Sequence, residues 1–184
     1  MNPLILIILD KSGSMSNVQS SMNLAMRQLI LDQASERSDA DLSLFTFNSD
    51  IYHDIKPTNF KKVTYTPISC NSSTRIYDTI IQAIKSVTNY SNVLVMIQTD
   101  GEDNESSNSA DTAKQLVTNK LTEGWQFLYM GAFNDVTKEA AKIGLQDYAV
   151  PFKRDSKGIE QVFTEMSRKA SNFRASLDTN ILKP

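Results

Sequence analysis

Asp10, Ser12 and Ser14 occupy alternate positions immediately after six apolar residues, Leu4-Ile5-Leu6-Ile7-Ile8-Leu9. If the loop stays extended, that spacing turns three oxygen-bearing side chains toward one point. Two other positions share this setting: Thr74 opens an amphipathic stretch, and Asp100 ends the run Val93-Leu94-Val95-Met96-Ile97-Gln98-Thr99. Two carboxylates and three hydroxyls, with no His or Cys, suit a hard cation. Mg²⁺ is expected first, with Mn²⁺ or Ca²⁺ as alternatives, and Zn²⁺ is disfavoured. Hydroxyls as direct ligands leave such an ion under-neutralised, so it keeps waters and favours an anionic oxygen from outside. The expected chemistry is a metal-bridged docking site for a carboxylate.

Other chemistries use the same residues. A D-x-S-x-S string is also an ordinary loop whose side chains cap nearby N–H groups. Asp10 as a phosphotransferase nucleophile would look like the haloacid dehalogenase type, which usually wants an acid two residues on, where Ser12 stands. A metal nuclease would draw on Asp10, Asp100 and Glu102 or Asp103, because two-metal phosphoryl transfer needs clustered carboxylates. A serine hydrolase lacks its G-x-S-x-G elbow, and no G-x-x-x-x-G-K-[ST] phosphate loop is present. The alternative kept is a phosphatase or nuclease built on Asp10 and Asp100.

These residues need elements to hold them. The uninterrupted apolar runs 4–9 and 93–97 predict strands buried on both faces, each ending in an acid. In open parallel sheets, ligands bind at that carboxyl edge. Ser16 is placed as the N-cap of a first helix reaching about residue 37, with Val18, Met22, Met26 and Leu29 on its apolar stripe. Strand 42–47 and a turn at 48–50 lead into 51–55 as a hairpin. Pro57 and Pro67 argue for a loop with at most a short extended piece over 56–66. Helices follow at 76–87 and from Ser109 to Gly124, then a strand at 125–130. A short helix at 136–143, a brief strand at 147–152 and a long helix with its stripe over 159–173 complete the chain. Alternating strands and helices predict an α/β, three-layer, doubly wound fold. Its central sheet is mostly parallel, with one antiparallel edge strand and helices on both faces. Residues 1–176 are expected to form a single domain and 177–184 a short, frayed tail.

Length and composition bound the rest. The 184 residues suffice for one domain with a sizeable core. The net charge of −2 offers no basic excess for nucleic acid or an anionic membrane. The first apolar run lacks a basic leader and is too short for a signal peptide, and no run spans a bilayer. Cys70 is the only cysteine, so no internal disulfide forms. A cytoplasmic setting is expected.

Asp10-Lys11-Ser12-Gly13-Ser14-Met15 resembles the D-x-S-G-S-M signature of von Willebrand factor type A domains. Thr74 resembles that family's separate threonine before a helix, and Thr99-Asp100-Gly101 resembles its T-D-G motif. Together these make the metal-ion-dependent adhesion site (MIDAS), and the likeness runs over about residues 1–175. It implies a Rossmann-like fold and a non-catalytic protein-binding module holding Mg²⁺. It also implies that Ser12 and Ser14 ligate directly, and Thr74 directly in one state and through water in another. Asp10 and Asp100 would act mostly through waters, while a protein partner's Asp or Glu completes the octahedron. The family often has glycine just before the threonine, where this chain has Asn71-Ser72-Ser73. Asn tolerates left-handed backbone, so the loop is still expected to form.

Several residues carry two readings. Glu102, Asp103 and Glu105 extend the site or form a solvated acidic loop favouring the next helix N-terminus. Asp78 braces the loops or is an exposed first-turn carboxylate, and Arg75 attracts an acidic partner or is solvated. His53 is expected at the surface and Cys70 as a structural thiol. Trp125, Phe127 and Tyr129 are assigned to strand packing.

Overall fold

The computed structural model describes residues 1–132 and 136–181, the side chains of 178–181 excepted. Among the described residues, six strands make one sheet in the order β3-β2-β1-β4-β5-β6. They are β1 (Leu4–Asp10), β2 (Asp41–Phe47), β3 (Ile51–Asn59), β4 (Val93–Thr99), β5 (Gln126–Gly131) and β6 (Ala149–Pro151). Every pairing is parallel except β2 with β3, the antiparallel edge. The helices are α1 (Gln19–Ser35), α2 (Ile76–Ser86), α3 (Ala110–Thr122), α4 (Val136–Ala141) and α5 (Ser156–Ile181).

The pleat of β1 explains the two layers of helices. Ile5, Ile7 and Leu9 point into a core shared with Met22, Met26 and Leu29 of α1 and with Ile159, Val162, Phe163, Met166, Ala170 and Phe173 of α5. Leu4, Leu6 and Ile8 point the other way, against Ile80 and Ile84 of α2, Val117 of α3 and Ala140 of α4. All six apolar side chains of β1 are fully buried, and each contributes about 1.5–3 kcal/mol relative to exposure. β5 divides in the same manner. Phe127 and Tyr129 join one core, and Leu128 and Met130 the other.

β1 lies between β2 and β4. The α1 crossover leads from β1 to β2 on one face, and α2 leads into β4 on the other. The crevice at the carboxyl ends of β1 and β4 is therefore the switch point of the sheet, where such folds place ligands. Ile8 is in register with Phe45 on one side and Ile97 on the other, so both strands end at the same level.

Local details depart from the sequence expectations in four places. A 3-10 turn over Gly13–Val18 precedes α1, so Ser16 lies inside a tight turn and is not the N-cap. The buried Met15 and Val18 explain the detour, because they anchor this turn to the core. β3 continues through Pro57 to Asn59, which an edge strand tolerates because an outer N–H needs no partner. Gln126 rather than Trp125 begins β5. Trp125 belongs to the turn closing α3, where Gly124 (φ 90°) donates to the Leu121 carbonyl and Trp125 to that of Lys120. That is the paired C-terminal hydrogen-bond pattern that requires a left-handed residue. Finally, α5 continues to Ile181, past the point where a frayed tail was expected to start. Residues 182–184 of that tail lie outside the described residues. Among the described residues, no helix is long and apolar enough to cross a membrane.

Candidate metal centre

Asp10 ends β1 with its side chain fully buried. Both its oxygens accept: Oδ1 from the Ser12 backbone N–H at 2.7 Å, and Oδ2 from the Thr99 hydroxyl at 2.7 Å. Burial pushes the Asp10 carboxyl above its ordinary value, and the hydrogen bonds from Ser12 and Thr99 pull against that rise. The Ser12 hydroxyl is 3.1 Å from that of Ser14, which donates to Asp100 Oδ1 at 2.6 Å. Four of the five residues singled out in the sequence thus form one hydrogen-bonded chain, Asp10–Ser12–Ser14–Asp100. Ser12 and Asp100 are buried, whereas Ser14 is exposed, so the chain opens to solvent at Ser14.

Thr74 is buried beside Gly101, where an added Cβ would come 3.4 Å from Thr74 Oγ1. Its hydroxyl hydrogen-bonds to none of the other four residues. Backbone contacts bring its loop to the site. Gly13 N–H donates to the Ser72 carbonyl at 2.9 Å, and Asn71 N–H to that of Lys11 at 2.9 Å. Thr74 and Asn104 exchange bonds, Thr74 N–H to Asn104 Oδ1 at 2.8 Å and Asn104 N–H to the Thr74 carbonyl at 3.0 Å.

The acidic residues after Asp100 take structural roles. Asp103 Oδ1 accepts from the first N–H of α2, Ile76, at 2.9 Å, and from the Ser106 hydroxyl at 2.6 Å. It thus favours the helix preceding it in sequence, and the α3 N-terminus is capped by Ser109. Asp78 reciprocates by accepting from the N–H groups of Ser107 and Asn108, so it braces the loops. Glu105 holds the Ser73 hydroxyl at 2.9 Å and faces Arg75 at 3.9 Å. Glu102 is exposed, 4.0 Å from Lys142. His53 is half-buried, stacked on Phe45 with ring centroids 4.0 Å apart. The Cys70 thiol packs against the core, and burial pushes it up to about 11.

Two residues at the centre take roles not assigned from the sequence: Thr99, which entered only as part of the T-D-G resemblance, and Arg154. Thr99 orients Asp10, and its signal was available: it is the last strand residue before Asp100 and carries a hydroxyl. Arg154 donates from Nη1 to Asp100 Oδ2 at 2.8 Å. Its signal is topological, since it follows the parallel strand β6 and so emerges at the same sheet edge as Asp10 and Asp100.

No family model and no curated protein matches this chain, but solved structures do. Proximal thread matrix protein 1 from the mussel byssus is 17% identical with a TM-score of 0.68, over 92% of this chain and 46% of that one. Another structure of that protein has a zinc-occupied MIDAS motif. A von Willebrand factor type A structure from Catenulispora acidiphila is 15% identical with a TM-score of 0.61, over 90% of this chain and 42% of that one. The chain has the von Willebrand factor type A fold. The hypothetical protein BatB from Bacteroides thetaiotaomicron, 16% identical with a TM-score of 0.59, is covered over its whole length, and 92% of this chain is covered. This chain spans less than half of the mussel and Catenulispora structures.

Within this type A fold, the donor set fits a hard divalent cation. Three hydroxyls and two carboxylates gather at the switch point, with Thr74 buried there beside Gly101. Among the described residues, no three His, Cys, Asp or Glu side chains come together, so any cation there depends on hydroxyl oxygen. The loop supplying Thr74 carries strain. Ser72, not the neighbouring Asn71, adopts the left-handed backbone, with φ 67°. That conformation costs a non-glycine residue roughly 1–2 kcal/mol, partly offset in glycine by its larger unfolded-state entropy. Ser72→Gly is therefore expected to stabilise the protein by up to about 1 kcal/mol in urea denaturation. A loss of stability would show that the Ser72 side chain contributes more than its backbone costs.

Proposed function

We propose that this protein is a divalent-metal-dependent protein-interaction module, a single domain over residues 1–176 whose Mg²⁺ accepts a carboxylate from a partner. The observation carrying this reading is the hydrogen-bonded chain Asp10–Ser12–Ser14–Asp100 at the switch point between β1 and β4. Ser12, Ser14 and Thr74 would present neutral oxygen to the ion. Asp10 and Asp100 would hold those hydroxyls in place and supply negative charge from behind. When bound, the ion would supply a Lewis-acidic position for an Asp or Glu side chain of a protein partner. All-oxygen donors suit Mg²⁺, with Mn²⁺ or Ca²⁺ as alternatives, and disfavour Zn²⁺, although the mussel protein's motif holds zinc. The lone free thiol suits a reducing, cytoplasmic setting.

Nothing in the site favours phosphoryl transfer. Both oxygens of Asp10 are engaged in a fully buried position, which suits an orienting group rather than a nucleophile. Asp103, a possible third acid, is committed to the α2 N-terminus.

The test is a calorimetric titration with Mg²⁺, Mn²⁺ and Zn²⁺, paired with capture of binding proteins in Mg²⁺ or EDTA. The wild type is expected to bind one ion and to release its partner in EDTA. Ser12→Ala/Ser14→Ala is expected to lose both properties. Partner capture that is equal in EDTA, or in the double variant, would sink the proposal.

A further inference from the structure

Arg154 stands out because its position is built from both sides. Upstream, Phe152 N–H donates to the Gly131 carbonyl at 3.0 Å, tying the chain to β5. Downstream, Asp155 caps α5, its Oδ1 accepting from Gly158 N–H at 2.7 Å and its carbonyl from Ile159 N–H at 3.0 Å. The Arg154 side chain between them is 46% exposed, yet its guanidinium contacts an Asp100 side chain that is fully buried. Lys11, next to Asp10 in sequence, turns elsewhere and lies over the Tyr52 ring at 3.4 Å. Among the described residues, Arg154 is the one cation paired with either carboxylate of the centre.

Resting on the metal-binding reading above, we infer that Arg154 is a tethered cation that competes with the metal for the Asp100 carboxylate and tunes the charge of the centre. Asp10 and Asp100 with Arg154 leave one negative charge in excess. A divalent ion turns that into one positive charge in excess, which a partner carboxylate neutralises. Without Arg154 the metal-loaded centre is already neutral and attracts an anion less. Whether the guanidinium stays beside the ion or swings into solvent, metal entry is opposed, by like-charge repulsion in the first case and by loss of the 2.8 Å ion pair in the second. Arg154 therefore weakens metal binding and strengthens the preference for an acidic partner. It acts through Asp100, as a positioning residue.

The experiment titrates Mg²⁺ alone into wild type, Arg154→Gln, Arg154→Lys and Lys153→Gln, and records melting temperatures in EDTA and in excess Mg²⁺. Arg154→Gln is expected to bind Mg²⁺ about tenfold more tightly. It should also melt lower in EDTA and gain more from Mg²⁺ than the wild type does. Arg154→Lys should lie closer to the wild type, and Lys153→Gln should match it. An unchanged or weaker affinity in Arg154→Gln, with a normal wild-type isotherm, overturns the inference alone. Equal effects of Lys153→Gln and Arg154→Gln also overturn it, because overall charge would then suffice. Mg²⁺ binding by Arg154→Gln but not by wild type supports it. Binding by neither overturns this inference together with the metal-dependent reading.

Discussion

Asp10→Asn is expected to lower Mg²⁺ affinity by about 100-fold while leaving the fold intact. The hydrogen bonds explain why the two effects separate. An Asn side chain at position 10 still accepts from Ser12 N–H through its oxygen. Its amide nitrogen then faces Thr99 Oγ1, whose proton turns instead to the Gly101 carbonyl, 3.2 Å away. Both original donors keep an acceptor, one of the two new amide N–H groups gains Thr99 Oγ1, and the charge is lost. The apo protein supplies a second readout. Burial raises the folded-state value of Asp10 above its unfolded one, so the folded state holds this proton more tightly. The resulting stability is complete below the unfolded value, near 3.8, and is lost as pH rises through the raised folded value. Above that raised value, wild type in EDTA carries a buried charge that Asp10→Asn lacks. The variant should be at least as stable there, with a flatter dependence of stability on pH. Calorimetric titration and urea denaturation in EDTA over a pH series check both limbs. Undiminished Mg²⁺ binding by Asp10→Asn would remove Asp10 from the centre. A large loss of stability in EDTA would mean that the Thr99 hydroxyl cannot reverse.

The division between what was and was not legible follows from this chemistry. Buried strands announce themselves by unbroken apolar runs, so β1 and β4 and the acids at their ends were readable directly. Helix α5 was readable because its stripe keeps one period from Ile159 to Phe173, all in one core. The hydroxyls at 12 and 14 were readable because alternate spacing restricts where side chains point. Arg154 was not, because a basic residue beside Lys153 in a loop after a short strand has no local signature. It gains meaning only once β6 is known to run parallel to β5. Likewise, which residue of 71–73 takes the left-handed backbone depends on tertiary hydrogen bonds, Gly13 to Ser72 and Asn71 to Lys11. Those bonds placed Ser72 at φ 67°, although Asn71 has the better intrinsic tolerance. Pro57 misled for a related reason: its local preference says loop, but the outer edge of a sheet does not need its missing donor.

Gly158→Ala is expected to destabilise the protein by about 2–3 kcal/mol, the scale of overpacking in a rigid setting. Gly158 lies in the first turn of α5 with no unusual φ, so the reason is space alone. An added Cβ would drive into the Lys153 carbonyl, and the adjoining Lys153 Cα is only 3.0 Å away. Backbone cannot rotate aside as a side chain would, so the segment between β6 and α5 must move. Gly124 supplies the contrast. It has φ 90° and nothing within 4 Å of an added Cβ, so Gly124→Ala should cost only the left-handed penalty, about 1–2 kcal/mol. Two glycines at helix ends thus answer to different physics, and only one of them bears on the site. Moving the 153–155 segment withdraws Arg154 from Asp100, so Gly158→Ala should also shift Mg²⁺ affinity in the direction of Arg154→Gln, whereas Gly124→Ala should leave it unchanged. Urea denaturation and Mg²⁺ titration of both variants decide the matter. Equal stability of Gly158→Ala and wild type would show that the segment yields easily, and the placement of Arg154 would then lose its structural support.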